Sequence, residues 1–288
     1  MHSTLHSNHA LFIMAPVFLL ALFSLLDFTD ACSFGCSGTP LDFREKFISV
    51  CRSLQLSNCD EVWTAFGGAF RGRDPVKVMK EDYQVYFDKL PITAKVNSSL
   101  FWSGTFPVVE VVSTQPNPTG AVVYSSANEP SSAIINDLGY GVNWCGSKQG
   151  YDGLGYGSCL CSVTRNFWSQ FSLLFAKASS GIAYWLGNGE RNGGTFRNES
   201  DFSNVELPNM NALEVVAIIL HRKGEGESCS EGSMNLMRSR VMERSIQYDC
   251  YDVYGDINQA NTIAACVSTI ISDIQKGMRP KNHEVDCI

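Results

Sequence analysis

Hydrophobic positions in the first part of the chain follow a helical period. Across residues 41–90, apolar side chains recur at spacings of three and four positions, which places them along one side of a helix. The repeating positions are Phe43, Phe47, Val50, Val62, Trp63, Phe66 and Phe70. This pattern predicts a cluster of short helices.

The pattern changes at Leu100, where short apolar runs rich in valine and aromatic residues begin. The runs cover residues 100–102, 108–112 and 121–124, and Gly and Pro turns separate them. Residues of these types, bounded by such turns, are typical of strands. We therefore predict a strand for each run.

The remainder of the chain alternates between the two patterns. Strands are predicted at residues 182–186 and 213–220. Residues 215–220 of the second form an unbroken apolar run, which is typical of a strand buried on both faces of a parallel sheet. Helical spacing marks residues 131–138, 164–178, 230–246 and 258–275.

This order of elements predicts an α/β fold, with a helical N-terminal region and a C-terminal region that contains a small, mainly parallel sheet flanked by helices. We expect two domains, each built from two stretches of chain. The helical domain takes residues 32–96 and 127–168, and the α/β domain takes residues 97–126 and 169–288. The active site is expected in the cleft between them.

The N-terminal segment, residues 1–31, has the layout of a secretory signal peptide. An apolar run over residues 10–26, interrupted by Pro16, follows a short polar leader. Its length is also near the lower limit for crossing a bilayer, so a signal anchor is the alternative. Both interpretations place the rest of the chain in the secreted space or on the outer cell surface.

Eleven cysteines indicate the same compartment, because a reducing environment would not keep so many free thiols. The odd number leaves at least one thiol free or bonded to another chain. We expect no metal site, since only His221 and His283 follow the leader and no pair of CxxC motifs occurs. Asn97 and Asn198 begin glycosylation sequons, which suits an exported protein.

Charge and histidine content exclude several functions. The net charge is -7 and the 22 basic residues form no run, which argues against nucleic acid as a partner. A Ser-His-Asp or Cys-His mechanism would need His221 or His283, and neither lies in a supporting motif. The segment 187–192 almost matches a dinucleotide fingerprint but lacks its third glycine, so we interpret it as a turn.

Aromatic and acidic residues stand out in four local sequences. These are Phe101-Trp102-Ser103-Gly104, Asn143-Trp144-Cys145-Gly146, Phe167-Trp168-Ser169-Gln170-Phe171-Ser172 and Val205-Glu206-Leu207-Pro208-Asn209. In this order and spacing, together with the segment 57–63 and the segment 229–250, they resemble the ADP-ribosyl cyclase and NAD glycohydrolase family. The resemblance covers residues 47–287.

The resemblance implies an enzyme that cleaves the nicotinamide–ribose bond of NAD or NADP without a cofactor. Glu206 takes the place of the catalytic glutamate, Trp102 and Trp168 the place of the substrate-holding indoles, and Ser172 that of a substrate-binding serine. Loss of nicotinamide leaves positive charge on the ribose, which a carboxylate stabilises. Indole faces suit both the adenine and the cationic pyridinium ring.

Two further substrate-binding residues follow from the resemblance at positions where this chain departs from the family. The family's Thr-Leu-Glu-Asp segment has a glutamate that recognises the nicotinamide carboxamide, and Glu129 is the candidate here once an insertion of two residues before Trp144 is allowed. Asp201, five residues before Glu206, stands where the strongest cyclising relative has an aromatic residue. A polar residue there should admit water and hold adenine less well.

The resemblance also implies a disulfide framework. The implied pairs are Cys51 with Cys59, Cys145 with Cys159, Cys229 with Cys250, and Cys266 with Cys287. Cys32 with Cys36 is a further candidate pair. The family's Asn-Pro-Cys segment is replaced by residues 74–76, Asp-Pro-Val, which leaves Cys161 as the thiol expected to be unpaired or to have a different partner.

We therefore expect an extracellular hydrolase that makes nicotinamide and ADP-ribose, with minor cyclase activity. One alternative is a dominant cyclase that makes cyclic ADP-ribose. An alternative of another class is a catalytically silent surface binding module. The expected partner is the small-molecule substrate, while a homodimer and membrane association both stay open.

Overall fold

The computed structural model describes residues 43–71, 73, 77–114, 119–138, 142–144, 154–156 and 162–287. Several predictions lie outside these residues. They concern the N-terminal leader, the pairs Cys32–Cys36 and Cys145–Cys159, the thiol of Cys161 and the segment 74–76.

A helical cluster forms the first part of the described chain, as the hydrophobic period predicts. Its elements are α1 (Phe43–Ser53), α2 (Cys59–Gly68), a 3-10 turn (Lys80–Tyr83), α3 (Gln84–Lys89), α5 (Pro130–Asp137) and α6 (Ser162–Ala178). Aromatic side chains fill its interior, where the Phe66 ring contacts Phe47, Tyr86 and Phe167 at centroid distances of 5.2, 5.5 and 5.9 Å. These contacts join four helices, α1, α2, α3 and α6.

A five-stranded sheet forms the second part, and all its neighbouring strands are parallel. This confirms the predicted fold class. In spatial order the strands are β1 (Ser99–Ser103), β4 (Gly181–Asn188), β5 (Ala212–His221), β6 (Gln247–Tyr254) and β7 (Glu284–Asp286). A separate antiparallel hairpin joins β2 (Val142–Trp144) and β3 (Leu154–Tyr156).

Both faces of the sheet are buried, as predicted from the apolar run in β5. Val215, Ala217 and Ile219 enter a first core that the helical cluster and α8 (Gly232–Glu243) share. The alternate residues Val216, Ile218 and Leu220 enter a second core, which α4 (Phe106–Thr114) and α9 (Ala260–Gln275) cover. The proposed division into two domains stays a prediction.

The strand predicted at residues 108–112 is wrong, because this segment lies within helix α4. Val108, Val109 and Val112 are buried, whereas Glu110 is exposed. Spacings of one and four positions match a helical stripe, and this stripe packs against α9. The tertiary contact therefore overrides the β propensity of valine.

The strand predicted at residues 121–124 is also wrong, since only Tyr124 bridges to β1, at Ser99. Side chains satisfy the backbone groups that a strand partner would otherwise bond. Gln275 accepts from the Val122 N–H at 3.2 Å and donates to the Val122 carbonyl at 2.8 Å. Asn128 donates to the Val123 carbonyl at 2.9 Å.

Strand β6 did not stand out in the sequence, because polar residues interrupt its apolar positions. Asp252 is nonetheless buried in β6, where it accepts hydrogen bonds from His221 at 3.1 Å and from the Cys229 N–H at 3.0 Å. The hydrogen bond to Asp252 has the largest effect on the pKa of His221 and raises it above its usual value. His221 is thus a structural residue at the end of β5.

Three of the implied disulfides are present in the described part of the chain: Cys51–Cys59, Cys229–Cys250 and Cys266–Cys287. The last joins α9 to the residue after β7 and so ties the C-terminal segment to the second core. Within the described ranges, no helix is both long and apolar enough to cross a bilayer. These ranges also contain no cluster of side chains suited to bind a metal ion.

Replacing both Cys266 and Cys287 by serine is expected to lower the free energy of unfolding by about 3 kcal/mol, because the bond closes a loop with a sequence separation of 21. Chemical denaturation of the wild type and the double variant measures this difference. An unchanged denaturation midpoint would show that the disulfide adds nothing to the stability of the C-terminal segment.

Candidate active site

Glu206 lies in a segment that returns across the sheet after β4. Residues Phe202–Glu206 form one π-helical turn, which continues into the short helix α7 (Leu207–Asn209). Such turns are rare and often occur at functional sites. The Phe202 ring anchors the turn, since it is buried against Phe101 of β1 and Trp185 of β4 at 5.8 and 5.5 Å.

Helix α8 holds this segment from the other side. The Arg240 guanidinium donates to the hydroxyl of Ser203, near the start of the π turn. Arg244, the residue that directly follows α8, donates to the carbonyl groups of Leu207 and Met210. The backbone on both sides of Glu206 is therefore fixed to a helix of the first core, which restricts where the carboxylate can lie.

The Glu206 carboxyl is half-buried, and its surroundings change its acidity. Burial raises the pKa of Glu206 to about 8, a hydrogen bond with the Ser172 side chain opposes this rise, and the negative charge of Asp201 adds to it. Burial has the largest effect because it removes water from the charged form. The structure thus brings together Glu206, Ser172 and Asp201, three residues that the sequence singled out.

Helix α6 supplies two of the predicted residues and packs along the π turn. Trp168 and Ser172 are four positions apart, so they lie on the same face of α6. Ser172 is buried, whereas Trp168 is half-buried. The Trp168 indole is held edge-on by Phe167 and Phe171, with centroid distances of 5.2 and 6.1 Å.

Trp102 lies near the carboxyl end of β1, in the element next to the π turn. Its side chain is half-buried, its indole N–H donates to the Ser126 hydroxyl at 3.1 Å, and its ring packs on Phe106 at 5.4 Å. Among the ring contacts of the described residues, none joins Trp102 to Trp168. The two indoles are therefore fixed separately, one by the sheet and one by α6.

Glu129 occupies a different environment from Glu206. It is the residue before helix α5, its side chain is fully buried, and its two carboxylate oxygens lie 3.2 and 3.3 Å from the Thr93 N–H. Burial raises the pKa of Glu129 to about 7, while the bonds from Thr93 lower it. Its hydrogen bonds thus run to Thr93 and not to Ser172, and its substrate role stays a prediction.

The basic residues around this region did not stand out in the sequence. The segment 187–192 does end β4 and begin a turn, as predicted, but its Arg191 reaches across to β1 and donates to the Ser103 hydroxyl at 2.9 Å. Arg240 and Arg244 were missed because nothing local distinguishes them from other exposed helical arginines. The position of Arg191 just after a strand of a parallel sheet was the available signal, since ligands of such sheets bind at the carboxyl ends of strands.

Known proteins of one family resemble this chain in sequence. The chain matches the model of the ADP-ribosyl cyclase family over residues 44–272. It is 26% identical over 239 residues to human ADP-ribosyl cyclase/cyclic ADP-ribose hydrolase 2, covering 75% of this chain and 71% of that protein. It is 28% identical over 216 residues to the rabbit (Oryctolagus cuniculus) ADP-ribosyl cyclase/cyclic ADP-ribose hydrolase 1, covering 70% and 68%.

Solved structures share the fold. The Aplysia cyclase complexed with substrate NGD and product cGDPR superposes with a TM-score of 0.67 at 22% identity, covering 81% of this chain and 95% of that one. A structure of CD38 with a covalent enzyme–substrate complex gives 0.66 at 23% identity, covering 78% and 95%. Because the family model spans most of the described residues, the resemblance seen in the four motifs is confirmed. The chain belongs to the ADP-ribosyl cyclase family, a family of NAD-processing enzymes.

Proposed function

We propose that this protein hydrolyses the nicotinamide–ribose bond of NAD or NADP and releases nicotinamide and ADP-ribose, with cyclic ADP-ribose as a minor product. The observation that carries the proposal is the desolvated Glu206 carboxyl, which shares a hydrogen bond with the Ser172 side chain and lies near the charge of Asp201. No cofactor is needed, because the bond is already activated by the positive charge of the pyridinium ring.

Glu206 is the proposed catalytic carboxylate. When nicotinamide departs, positive charge develops on the ribose, and an ionised carboxylate beside it stabilises that charge more strongly in a desolvated site than in water. The same desolvation raises the pKa of Glu206 to about 8 in the free protein. A bound cationic substrate favours the ionised form, so substrate and carboxylate stabilise each other.

Ser172 and the two indoles are proposed to position the substrate. Ser172 already bonds Glu206, and the hydroxyl can in addition bond a ribose hydroxyl next to the reacting carbon. Trp168 lies one helical turn before Ser172, and Trp102 lies on β1 beside the π turn. Their half-buried rings offer apolar faces for the nicotinamide and adenine bases.

Glu129 is proposed to recognise the nicotinamide carboxamide. In its protonated or ionised form, a glutamate can pair with the amide through either of its oxygens. The carboxylate is fully buried and bonded by the Thr93 N–H, so this role requires the Thr93 contact to be shared or given up. The proposal for Glu129 therefore rests on sequence resemblance more than on position.

Asp201 supports hydrolysis as the main outcome. Water and a ring nitrogen of the substrate's adenine compete for one ribosyl intermediate, and cyclisation needs the adenine to be folded back and held. Asp201 is exposed and charged, and it lies close enough to Glu206 to raise its pKa. A carboxylate stacks adenine poorly and keeps water near the reacting carbon.

The proposed setting is the secreted space or the outer cell surface. Disulfides in the described part of the chain suit an oxidising compartment. Of the two predicted glycosylation sites, Asn198 is exposed, whereas Asn97 is half-buried and its side-chain oxygen accepts from the Ile182 N–H at 2.8 Å. Asn198 is thus the more accessible site of the two.

Two measurements distinguish this proposal from the two alternative functions. A silent binding module would leave a fluorescent etheno-NAD analogue uncleaved, whereas an enzyme would consume it. A dominant cyclase would consume NAD but give chiefly cyclic ADP-ribose when products are separated by chromatography at early times.

Glu206→Gln is expected to lower kcat by at least about a hundredfold, because it removes one preorganised electrostatic partner of the transition state while keeping the shape of the side chain. Turnover of NAD by the purified variant measures the effect. Glu129→Gln is the comparison variant, since Glu129 is the other glutamate whose pKa is raised by burial. If Glu206→Gln kept most of its activity and Glu129→Gln lost it, the catalytic carboxylate would be misassigned.

The pH profile should report the ionisation of Glu206. Because the pKa of Glu206 is raised to about 8, the free protein holds this group protonated at lower pH and ionised only as pH rises through that value. We therefore expect kcat/KM to increase with pH and to level off above about 8. The acidic limb should survive in Glu129→Gln, and its loss in that variant would assign the limb to Glu129 instead.

Asp201→Phe is expected to raise the fraction of cyclic product without a matching rise in total NAD consumption, because an aromatic ring can stack the adenine. The ratio of the two products is measured early, before any cyclic product is hydrolysed. Asp201→Asn is the control: it removes the charge but stays polar, so the ratio should not change. Equal ratios in all three proteins would mean that position 201 does not control the partition.

A further inference from the structure

The chain has two Asn-Gly pairs, Asn188-Gly189 and Asn192-Gly193, and both lie at or just after the end of β4. An asparagine followed by glycine can lose its side-chain amide without an enzyme. The next backbone nitrogen attacks the side-chain carbon, and glycine has no Cβ to hinder this approach. Asparagine is accordingly one of the thermolabile residues. The local structure decides which of the two pairs can react.

Hydrogen bonds hold both reacting groups of the Asn188-Gly189 pair. The Gly189 N–H donates to the Leu220 carbonyl of β5 at 2.8 Å, so its nitrogen is not available as a nucleophile. The Asn188 side-chain oxygen accepts from the Glu190 N–H at 2.9 Å, which fixes the amide. Space around Gly189 is also closed, since a Cβ there would stand 2.7 Å from the Glu227 carbonyl oxygen. This pair reacts only when the end of β4 opens.

The Asn192-Gly193 pair lies at the tip of an open turn. The Gly194 N–H donates to the Arg191 carbonyl at 3.3 Å, which makes Asn192 and Gly193 the two central residues of the turn. Both are exposed, and no heavy atom beyond the adjacent residues lies within 4 Å of a Cβ placed on Gly193. Among the described residues, none forms a hydrogen bond with the Asn192 side chain or the Gly193 N–H. The two reacting groups can therefore approach each other.

The shape of the turn requires the glycine that makes Asn192 reactive. Gly193 has a φ of +87°, the left-handed value that a type II turn needs at its third residue. Gly194 has a φ of +94°, and a Cβ there would stand 3.0 Å from the Ser233 Cβ. Residues other than glycine rarely adopt such values. An unshielded nitrogen next to Asn192 is thus part of the turn itself.

We propose that Asn192 is a site of spontaneous deamidation. The Gly193 nitrogen loses its proton to a base in solution and attacks the side-chain carbonyl carbon of Asn192. A nitrogen–carbon bond forms, and the amide leaves as ammonia with a proton returned from solution, which gives a five-membered succinimide. Water then opens one of the two ring carbon–nitrogen bonds at a carbonyl. Opening at the side-chain carbonyl gives aspartate, and opening at the backbone carbonyl gives isoaspartate.

The product changes a turn that is anchored at both ends. On one side Arg191 donates to the Ser103 hydroxyl at 2.9 Å, and on the other the Thr195 N–H donates to the Glu227 carboxylate at 2.7 Å. Deamidation adds one negative charge next to Arg191. Isoaspartate also adds one atom to the backbone between the two anchors, because its chain runs through the side-chain carbon. We expect the longer backbone to loosen the Thr195 anchor.

Peptide mapping by mass spectrometry tests the site on the folded protein. Trypsin cuts after Arg191 and so separates the two Asn-Gly pairs into different peptides. In warm, mildly alkaline buffer, the peptide with Asn192 should gain one mass unit at least about tenfold faster than the peptide with Asn188, because Gly189 must first lose its hydrogen bond. The rate at Asn192 should rise with the hydroxide concentration. Digestion at mildly acidic pH limits reaction during handling.

The unfolded chain is the matched control, since the fold is what protects Asn188. After reduction and denaturation, the two pairs should deamidate at similar rates. Asn192→Gln should lack the first acidic species that ion-exchange chromatography detects in the aged wild type, because the longer side chain must close a six-membered ring, which is much slower. Equal rates at the two sites in the folded protein, or modification of Asn192 only after unfolding, would overturn the proposal.

Hydrogen exchange measures the effect on the turn. In the aged wild type, the Thr195 amide should exchange faster than in the fresh protein, because its bond to Glu227 opens more often. Aged Asn192→Gln should show no change at this amide. Unchanged exchange at Thr195 in a fully deamidated wild type would overturn the expected loosening of the anchor.

Discussion

A parallel sheet with both faces buried is the constraint on which the rest of this protein depends. Residues 215–220 of β5 enter the two cores alternately, so helices have to cover both faces. With the faces covered, the carboxyl edge is where loops can approach a substrate. The π turn that carries Glu206 packs onto this sheet through Phe202, and the loop that carries Arg191 leaves from the end of β4.

Desolvation of Glu206 costs stability and serves chemistry at once. A carboxylate that loses water is unfavourable unless other groups compensate, and here a single hydroxyl, that of Ser172, opposes the rise in pKa. The surrounding contacts offset this loss of stability, because Phe202, Arg240 and Arg244 hold the turn in place. A cationic substrate supplies the missing compensation, which is how a site can favour a charged transition state over water.

Glu206 and Glu129 show that a pKa raised by burial does not by itself assign a role. The pKa values of Glu206 and Glu129 are both raised by burial, to about 8 and about 7. They differ in their neighbours: Glu129 is bonded by a backbone N–H at the start of α5, whereas Glu206 faces a serine and a second carboxylate on a turn that begins beyond β4. The second set of neighbours is the one that offers a place for a cation.

Sequence alone determined the fold class, the helical cluster and the buried strand β5. It also singled out Glu206 and Ser172, which meet at the π turn, and Trp168, which lies one helical turn before Ser172. Their signals are local: hydrophobic periods, an apolar run typical of a strand buried on both faces, and motifs in which two residues are one helical turn apart. Local signals failed for the valine run of α4, because its stripe at 108, 109 and 112 packs against α9, a contact with a remote segment that the local sequence does not show. They failed for β6 as well, since the burial of Asp252 depends on His221 and on the backbone of Cys229.

The environment of the site was decided by tertiary structure. Whether a glutamate is desolvated depends on every element packed around it, and the approach of Arg191 to Ser103 joins residues 88 positions apart. The partner arginines of α8 could not be told from other exposed arginines until their helix was placed against the π turn. Sequence names the groups that can do chemistry, but electrostatic energies depend on distance and burial, and both are set when remote segments of the chain pack together.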